Sequence, residues 1–294
     1  MLRKSLQNAL LVLFILALIG TATFSSLSGK TAASTNRPEQ TRALHQSYVY
    51  QTEPLDTVMD TAAVPVQVAD AWGGIVSHHL LTADSIASFF KGFKNQNIES
   101  IVLLGPNHRN SGMGKVIVSR TGWQTPFGTL EPNAELANKL IAADAVSLEE
   151  NIFEAEHSIY ALTPFIKKAF PNSLFLPIIF MSDVDRSRLD KVAQILINYL
   201  GPNSLVIASV DFTHNQNTNQ AYLNDQKSLE VLKNLDLQKT DTVVSDSNQS
   251  LYVLLTYVKA KQAKPFLIER SDSFQVSGEN PESVTSYIFM YFSK

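Results

Sequence analysis

Ser204-Leu205-Val206-Ile207-Ala208-Ser209-Val210-Asp211-Phe212-Thr213-His214 is the stretch that decides the fold. Leu205 to Ala208 is apolar without alternation, then an acid and a histidine follow. A strand with one wet face alternates apolar and polar residues, whereas one buried on both faces is continuously apolar. The same pattern recurs in Ser100-Ile101-Val102-Leu103-Leu104-Gly105-Pro106-Asn107-His108 and, shorter, in Gly73-Gly74-Ile75-Val76-Ser77-His78-His79. Three apolar strands therefore each run into histidine. In open α/β sheets, ligands bind outside the carboxyl ends of the strands.

The segments between carry helical periodicity. Ile86, Phe89, Phe90 and Phe93 share one face of a helix over Asp84–Phe93. Further helices are predicted over Asn133–Ala143, Ile159–Phe170, Asp185–Leu200, Gln216–Leu235 and Gln249–Lys261. Strands are predicted over Lys115–Ser119, Ser173–Phe180, Pro265–Glu269 and Ser286–Phe292. This alternation predicts a three-layer α/β/α domain with a mostly parallel or mixed central sheet, running from Ala71 to Lys294.

The N-terminus reads differently. Ser5 to Gly29 is uncharged, and Ala9 to Ile19 is wholly apolar, preceded by Arg3 and Lys4. Residues 1–29 are read as a transmembrane signal anchor or signal peptide, with the body on the extracytoplasmic side. Residues 30–70 are read as a linker and an irregular lead-in, and His45 within it as incidental.

Composition narrows the chemistry. With 294 residues, 45% hydrophobic and 17% charged, there is ample material for a core. A net charge of −3 excludes a generally basic nucleic-acid binder. There is no cysteine, which excludes disulfides, thiolate metal sites and a Cys nucleophile. Neither a GxGxxG nor a P-loop phosphate cradle nor a GxSxG elbow is present. What remains is imidazole and carboxylate. Neutral imidazoles with one carboxylate and open positions suit a divalent transition metal, and two His with one carboxylate is the pattern of non-haem iron. A further His with a pKa near working pH serves as general acid or base. Glu154-Ala155-Glu156-His157-Ser158 precedes a helix, with Ser158 the expected N-cap and His157 either lining the cleft or capping the helix.

Five collinear motifs carry a resemblance: Gly73–Leu81, Leu104–His108, Thr125-Pro126-Phe127-Gly128, Glu156-His157-Ser158 and Ser209–His214. In order and spacing they resemble the Memo-like proteins, also called the B component of the AmmeMemoRadiSam system. The resemblance implies an α/β fold related to class III extradiol dioxygenases, with a metal held by two His and a third residue. It implies His78 and His108 as metal ligands, with His79 as an alternative to His78 and Ser77 standing where the family has Pro. His214 corresponds to the acid/base His, and Asp211 belongs to the same motif. The family's third ligand is usually Cys. Asp246 occupies the corresponding place here, with Ser245 as the neighbouring alternative.

Two functions follow as expectations. The first is a metal-dependent oxidoreductase using iron or copper, or zinc, in which His78, His108 and Asp246 hold the ion while His214, oriented by Asp211, moves protons beside His157. The second is a non-catalytic module that binds a peptide or small anion in the same cleft, with Arg109 and Arg120 as anion contacts.

Overall fold

The computed structural model describes residues 43–47, 52–64 and 67–294. The predicted anchor and most of the linker lie outside these residues. Among the described residues, no helix is long and apolar enough to cross a membrane.

The central sheet has eight strands. In chain order these are β2 (Ala71–Val76), β3 (Ser100–Pro106), β4 (Val116–Val118), β7 (Ser147–Leu148), β8 (Leu174–Phe180), β9 (Ser204–Ser209), β10 (Lys264–Asp272) and β11 (Ser286–Ser293). Their spatial order is β10-β11-β2-β9-β3-β8-β4-β7. The inner four, β2, β9, β3 and β8, are parallel. β11 and β4 run antiparallel to their inner neighbours, so the sheet is mixed.

Side chains of successive strand residues point to opposite faces, and both faces are covered. Val102, Leu104, Val206 and Ala208 enter one core, beneath α3 (Ala134–Ala142), α6 (Arg186–Tyr199) and α8 (Asn248–Ala260). Ile101, Leu103, Leu205 and Ile207 enter the other, beneath α1 (Thr52–Thr61), α2 (Ala83–Lys91), α4 (His157–Tyr160) and α5 (Thr163–Ala169). This is the three-layer arrangement expected from the uninterrupted apolar runs. The remaining helices are α7 (Thr218–Lys233) and the short α9 (Ser273–Ser277).

Three local readings need correction. The stretch read as an irregular lead-in contains α1, whose Leu55 and Met59 are buried against the second core. It also contains β1 (His45–Gln46), which pairs with β5 (Trp123–Thr125), itself hairpinned to β6 (Gly128–Leu130). His45 is not incidental to the fold. It is buried, with Nδ1 2.9 Å from Glu154 and Nε2 3.0 Å from Ser119 Oγ. Finally, the helix predicted over Ile159–Phe170 is broken into α4 and α5, with Pro164 in the first turn of α5, where its missing N–H costs nothing.

Candidate metal centre

The strand order builds the site. β9 lies between β2 and β3, so the residues after three adjacent parallel strands converge. His78 and His79 follow β2, Asp211 follows β9, and His108 follows β3. The segment before α8 adds Asp246, whose N–H donates to the Asp211 carbonyl at 3.0 Å. The Asp211 N–H in turn donates to Asp246 Oδ2 at 3.1 Å.

His78 is buried and its ring is fixed by a relay. Ser209 Oγ donates to the Ser158 carbonyl at 2.6 Å, so toward His78 Nδ1, 3.1 Å away, it acts as acceptor. In the neutral tautomer the proton therefore sits on Nδ1, and Nε2 faces Asp246 Oδ2 at 3.4 Å and Asp211 Oδ2 at 3.6 Å. Ser77, the residue in place of the family's Pro, donates to Asp211 Oδ1 at 2.6 Å and accepts from the His79 N–H at 3.0 Å.

His108 is fixed in the same way by Glu156. The Glu156 carboxylate is buried and accepts from His108 Nδ1 (2.7 Å), from the His108 N–H (2.9 Å) and from the Ser158 N–H (3.0 Å). The last bond makes Glu156, not Ser158, the N-cap of α4. Ser158 Oγ instead donates to the Pro106 carbonyl at 3.1 Å. Gly105 permits this approach, because a Cβ there would stand 2.5 Å from Ser158 Oγ. With Nδ1 committed, His108 directs Nε2 toward Asp246 Oδ2 at 3.7 Å. Burial lowers the His108 pKa, but the carboxylates of Asp246 and Glu156 outweigh it and push it up to about 9. The same pairing, against burial, holds Glu156 below its ordinary range.

His157 lies over His108, ring centroids 4.0 Å apart and nearly parallel, and edge-on to His78 at 5.1 Å. Burial and the two neighbouring imidazoles lower its pKa to about 4. Among the described residues two overlapping sets have ligand atoms within 4.8 Å of one another: His78, His108 and His157, and His78, Asp211 and Asp246.

The expected residues are thus placed as follows. His78, His108, Asp246, Asp211 and His157 meet in one pocket. His79 points away, half-exposed, with Nδ1 accepting from the Leu81 N–H and its ring 5.6 Å from Tyr287. Ser245 also points away, donating to Asn248. His214 is exposed and lies close enough to His79 to lower its pKa, along with burial and His78. Asp211 does not orient His214: no hydrogen bond joins them among the described residues, and the carboxylate is spent on Ser77 and the face of the pocket beside His78. Arg109 is exposed near His108, whereas Arg120 is bonded to Asn138. Reading the sequence alone missed Ser209 and Glu156. Glu156 gave one signal, an acid at the start of a predicted helix.

The donor set tests itself for a cation. Two imidazole Nε2 atoms converge on one carboxylate oxygen, and Asp246 Oδ1 is buried with no hydrogen-bond partner among the described residues. The buried carboxylate needs a positive partner, and either a proton on His108 Nε2 or a metal ion in its place supplies one, so the residues fit a metal ion. The Nδ1–H bonds to Glu156 and Ser209 are the outer contacts that hold ligating imidazoles in orientation.

Fold and pocket together define an α/β protein with a sulfur-free His/carboxylate site at its strand ends. A family model described as Memo-like protein matches residues 46–291, and the chain belongs to that family. A MEMO1 family protein of Thermoplasma volcanium is 26% identical over 257 residues, 85% of this chain and 91% of that one. One from Methanopyrus kandleri is 31% identical over 211 residues, 67% of this chain and 73% of that one. Among solved structures, a protein of Escherichia coli K12 has a TM-score of 0.48 at 14% identity, covering 70% of this chain and 91% of that one.

Proposed function

We propose that the chain holds one divalent transition metal, iron or copper, between His78 Nε2, His108 Nε2 and Asp246, and acts on a small molecule brought over the strand ends. The observation that carries this reading is the convergence of both Nε2 atoms on Asp246 Oδ2. A bound iron or copper supplies Lewis acidity toward a substrate oxygen and one-electron chemistry.

The chain's own groups have distinct tasks. Ser209 and Glu156 keep the ligand imidazoles in the tautomer that leaves Nε2 free. Asp211, braced by Ser77, adds negative charge beside His78 and favours a cation over an empty pocket. His157 is neutral at pH 7 and half-exposed above His108, so it accepts a hydrogen bond from substrate or completes a three-imidazole set. His214, exposed beside His79, would pass protons between substrate and solvent only if substrate reached over to it. The uncharged stretch Ser5–Gly29 supports a body tethered to a membrane on its outer side.

Elemental analysis tests the proposal on protein purified without chelators or a polyhistidine tag. The wild type is expected to carry close to one equivalent of metal, and His78→Ala, His108→Ala and Asp246→Ala much less. Equal metal content in all four proteins refutes the site. Retained ligand binding in the presence of a chelator favours instead a metal-independent peptide- or anion-binding cleft.

A further inference from the structure

At the opposite end of the same strands lies a cavity of about 460 Å³. It opens beneath the first residues of β2, β3 and β9, about 20 Å from the histidines by strand length. Among the described residues, no imidazole and none of the proposed metal-site residues lines it.

Its polar lining consists mainly of carboxamides whose orientation is set by their neighbours. The side-chain amides of Asn97 and Asn203 both donate to Glu99 Oε1, at 3.3 and 2.9 Å. The amide of Asn95 donates to Gln67 Oε1 at 2.6 Å. Each of these three asparagines therefore keeps a carbonyl oxygen with open lone pairs, while Gln67 keeps an amide donor. Gln96 is spent within the wall. Its Nε2 donates to the Val68 carbonyl at 2.6 Å and its Oε1 accepts from the Ala71 N–H at 3.0 Å, tying the two sides together. Among the described residues, the cation that lines it, Lys294, is paired with Asp70 at 3.5 Å, and the Glu99 carboxylate behind Asn97 and Asn203 adds negative charge. Trp72, Ile98 and Pro202 supply apolar wall.

A cavity rich in acceptors, whose one lining cation is already paired, discriminates against phosphate and carboxylate ligands, which need uncompensated cationic donors. It matches a ligand with many hydroxyl donors and a flat apolar face, and the volume suits one or two rings of that kind. We propose that this cavity is a carbohydrate-binding site that takes a pyranose, its hydroxyls donating to Asn95, Asn97 and Asn203 and its C–H face against Trp72. The site binds and does not transform, since chemistry in open α/β sheets sits at the other strand ends.

The test uses the full chain with D-glucose, N-acetylglucosamine and maltose as probes. Saturation-transfer NMR is read beside the indole signals of protein labelled with 15N-tryptophan. The chain has two tryptophans. Trp123 is fully buried away from this cavity, so it serves as the internal control. At least one probe is expected to saturate with a Kd in the millimolar range and to move the Trp72 indole signal but not that of Trp123. The double variant Asn97→Leu/Asn203→Leu should weaken it at least tenfold at unchanged thermal midpoint, and Gln67→Ala should weaken it independently. Chelator and His108→Ala should leave it unchanged, which separates this site from the metal centre. Absence of saturable binding by all three sugars up to ~50 mM overturns the proposal. So does binding that the cavity variants leave intact, or binding lost on chelation.

Discussion

Glu156→Gln offers the sharpest test of how the metal centre is held. The change keeps shape and removes charge. In the wild type, Oε1 accepts from His108 Nδ1 and the Ser158 N–H, and Oε2 accepts from the His108 N–H. A glutamine places its carbonyl on one side and its amide on the other. With the carbonyl toward Nδ1, the amide faces the His108 N–H, donor against donor. Turned over, the amide faces both Nδ1 and the Ser158 N–H, and the His108 proton is driven to Nε2, where it blocks the ion. Either way a buried donor is orphaned, at about 1–3 kcal/mol, and a charge-assisted bond of about 1.5–3 kcal/mol is lost. The expected destabilisation is roughly 2–4 kcal/mol, with a ~10–100-fold loss of metal affinity. The His108 pKa should also fall from about 9 toward its ordinary value, because one of its two carboxylate partners has gone. Competition against a chromophoric chelator reads the affinity, urea denaturation the stability, and NMR titration of the ring protons the pKa. Unchanged affinity together with an unchanged His108 titration would refute the clamp.

Further predictions concern His108 and a buried ion pair elsewhere in the fold. Because Nε2 of His108 is protonated below about 9, the proton competes with the ion there, so apparent metal affinity should fall about tenfold per pH unit as pH drops from 9 toward 7. In metal-free protein this raised pKa stabilises the fold fully below about 6.5 and is lost as pH climbs through 9. A flat binding profile between pH 7 and 9, measured by calorimetry, contradicts this. Arg270→Met should cost roughly 3–5 kcal/mol, because it strands the fully buried Asp225, whose Oδ2 accepts from Arg270 Nε at 2.7 Å. Burial already raises the Asp225 pKa, so the loss should be smaller at pH 5 than at pH 8, and a loss under 1 kcal/mol at pH 8 would be the contrary result.

How much of this was legible in the sequence depends on the range of the signal. Leu205–Ala208 and Ile101–Leu104 announce doubly covered strands because their neighbours in the sequence say so. His78 and His108 follow from the strand ends. That β9 lies between β2 and β3 is written in no local residue, yet this order brings the two imidazoles and Asp211 together. The hairpin of β5 and β6 escaped because three-residue strands carry no period. Pro54 near the start of α1 reads as a breaker, although proline is tolerated in a helix's first turn. His45 looked idle because Ser119, Glu150 and Glu154 lie 74 to 109 residues away in sequence. Asp211 was paired with His214 because they are three residues apart, but the turn sends one inward and the other to solvent.

The insertion of β9 between two strands made much earlier has a consequence for biogenesis. A nascent chain halted before Ser204 already contains His78 and His108, yet it has neither the strand that spaces them nor Asp246 from the segment beyond. Under the proposed function, an ion would be captured only once β9 and Asp246 have been made, with β10 and β11 still to be added to the sheet.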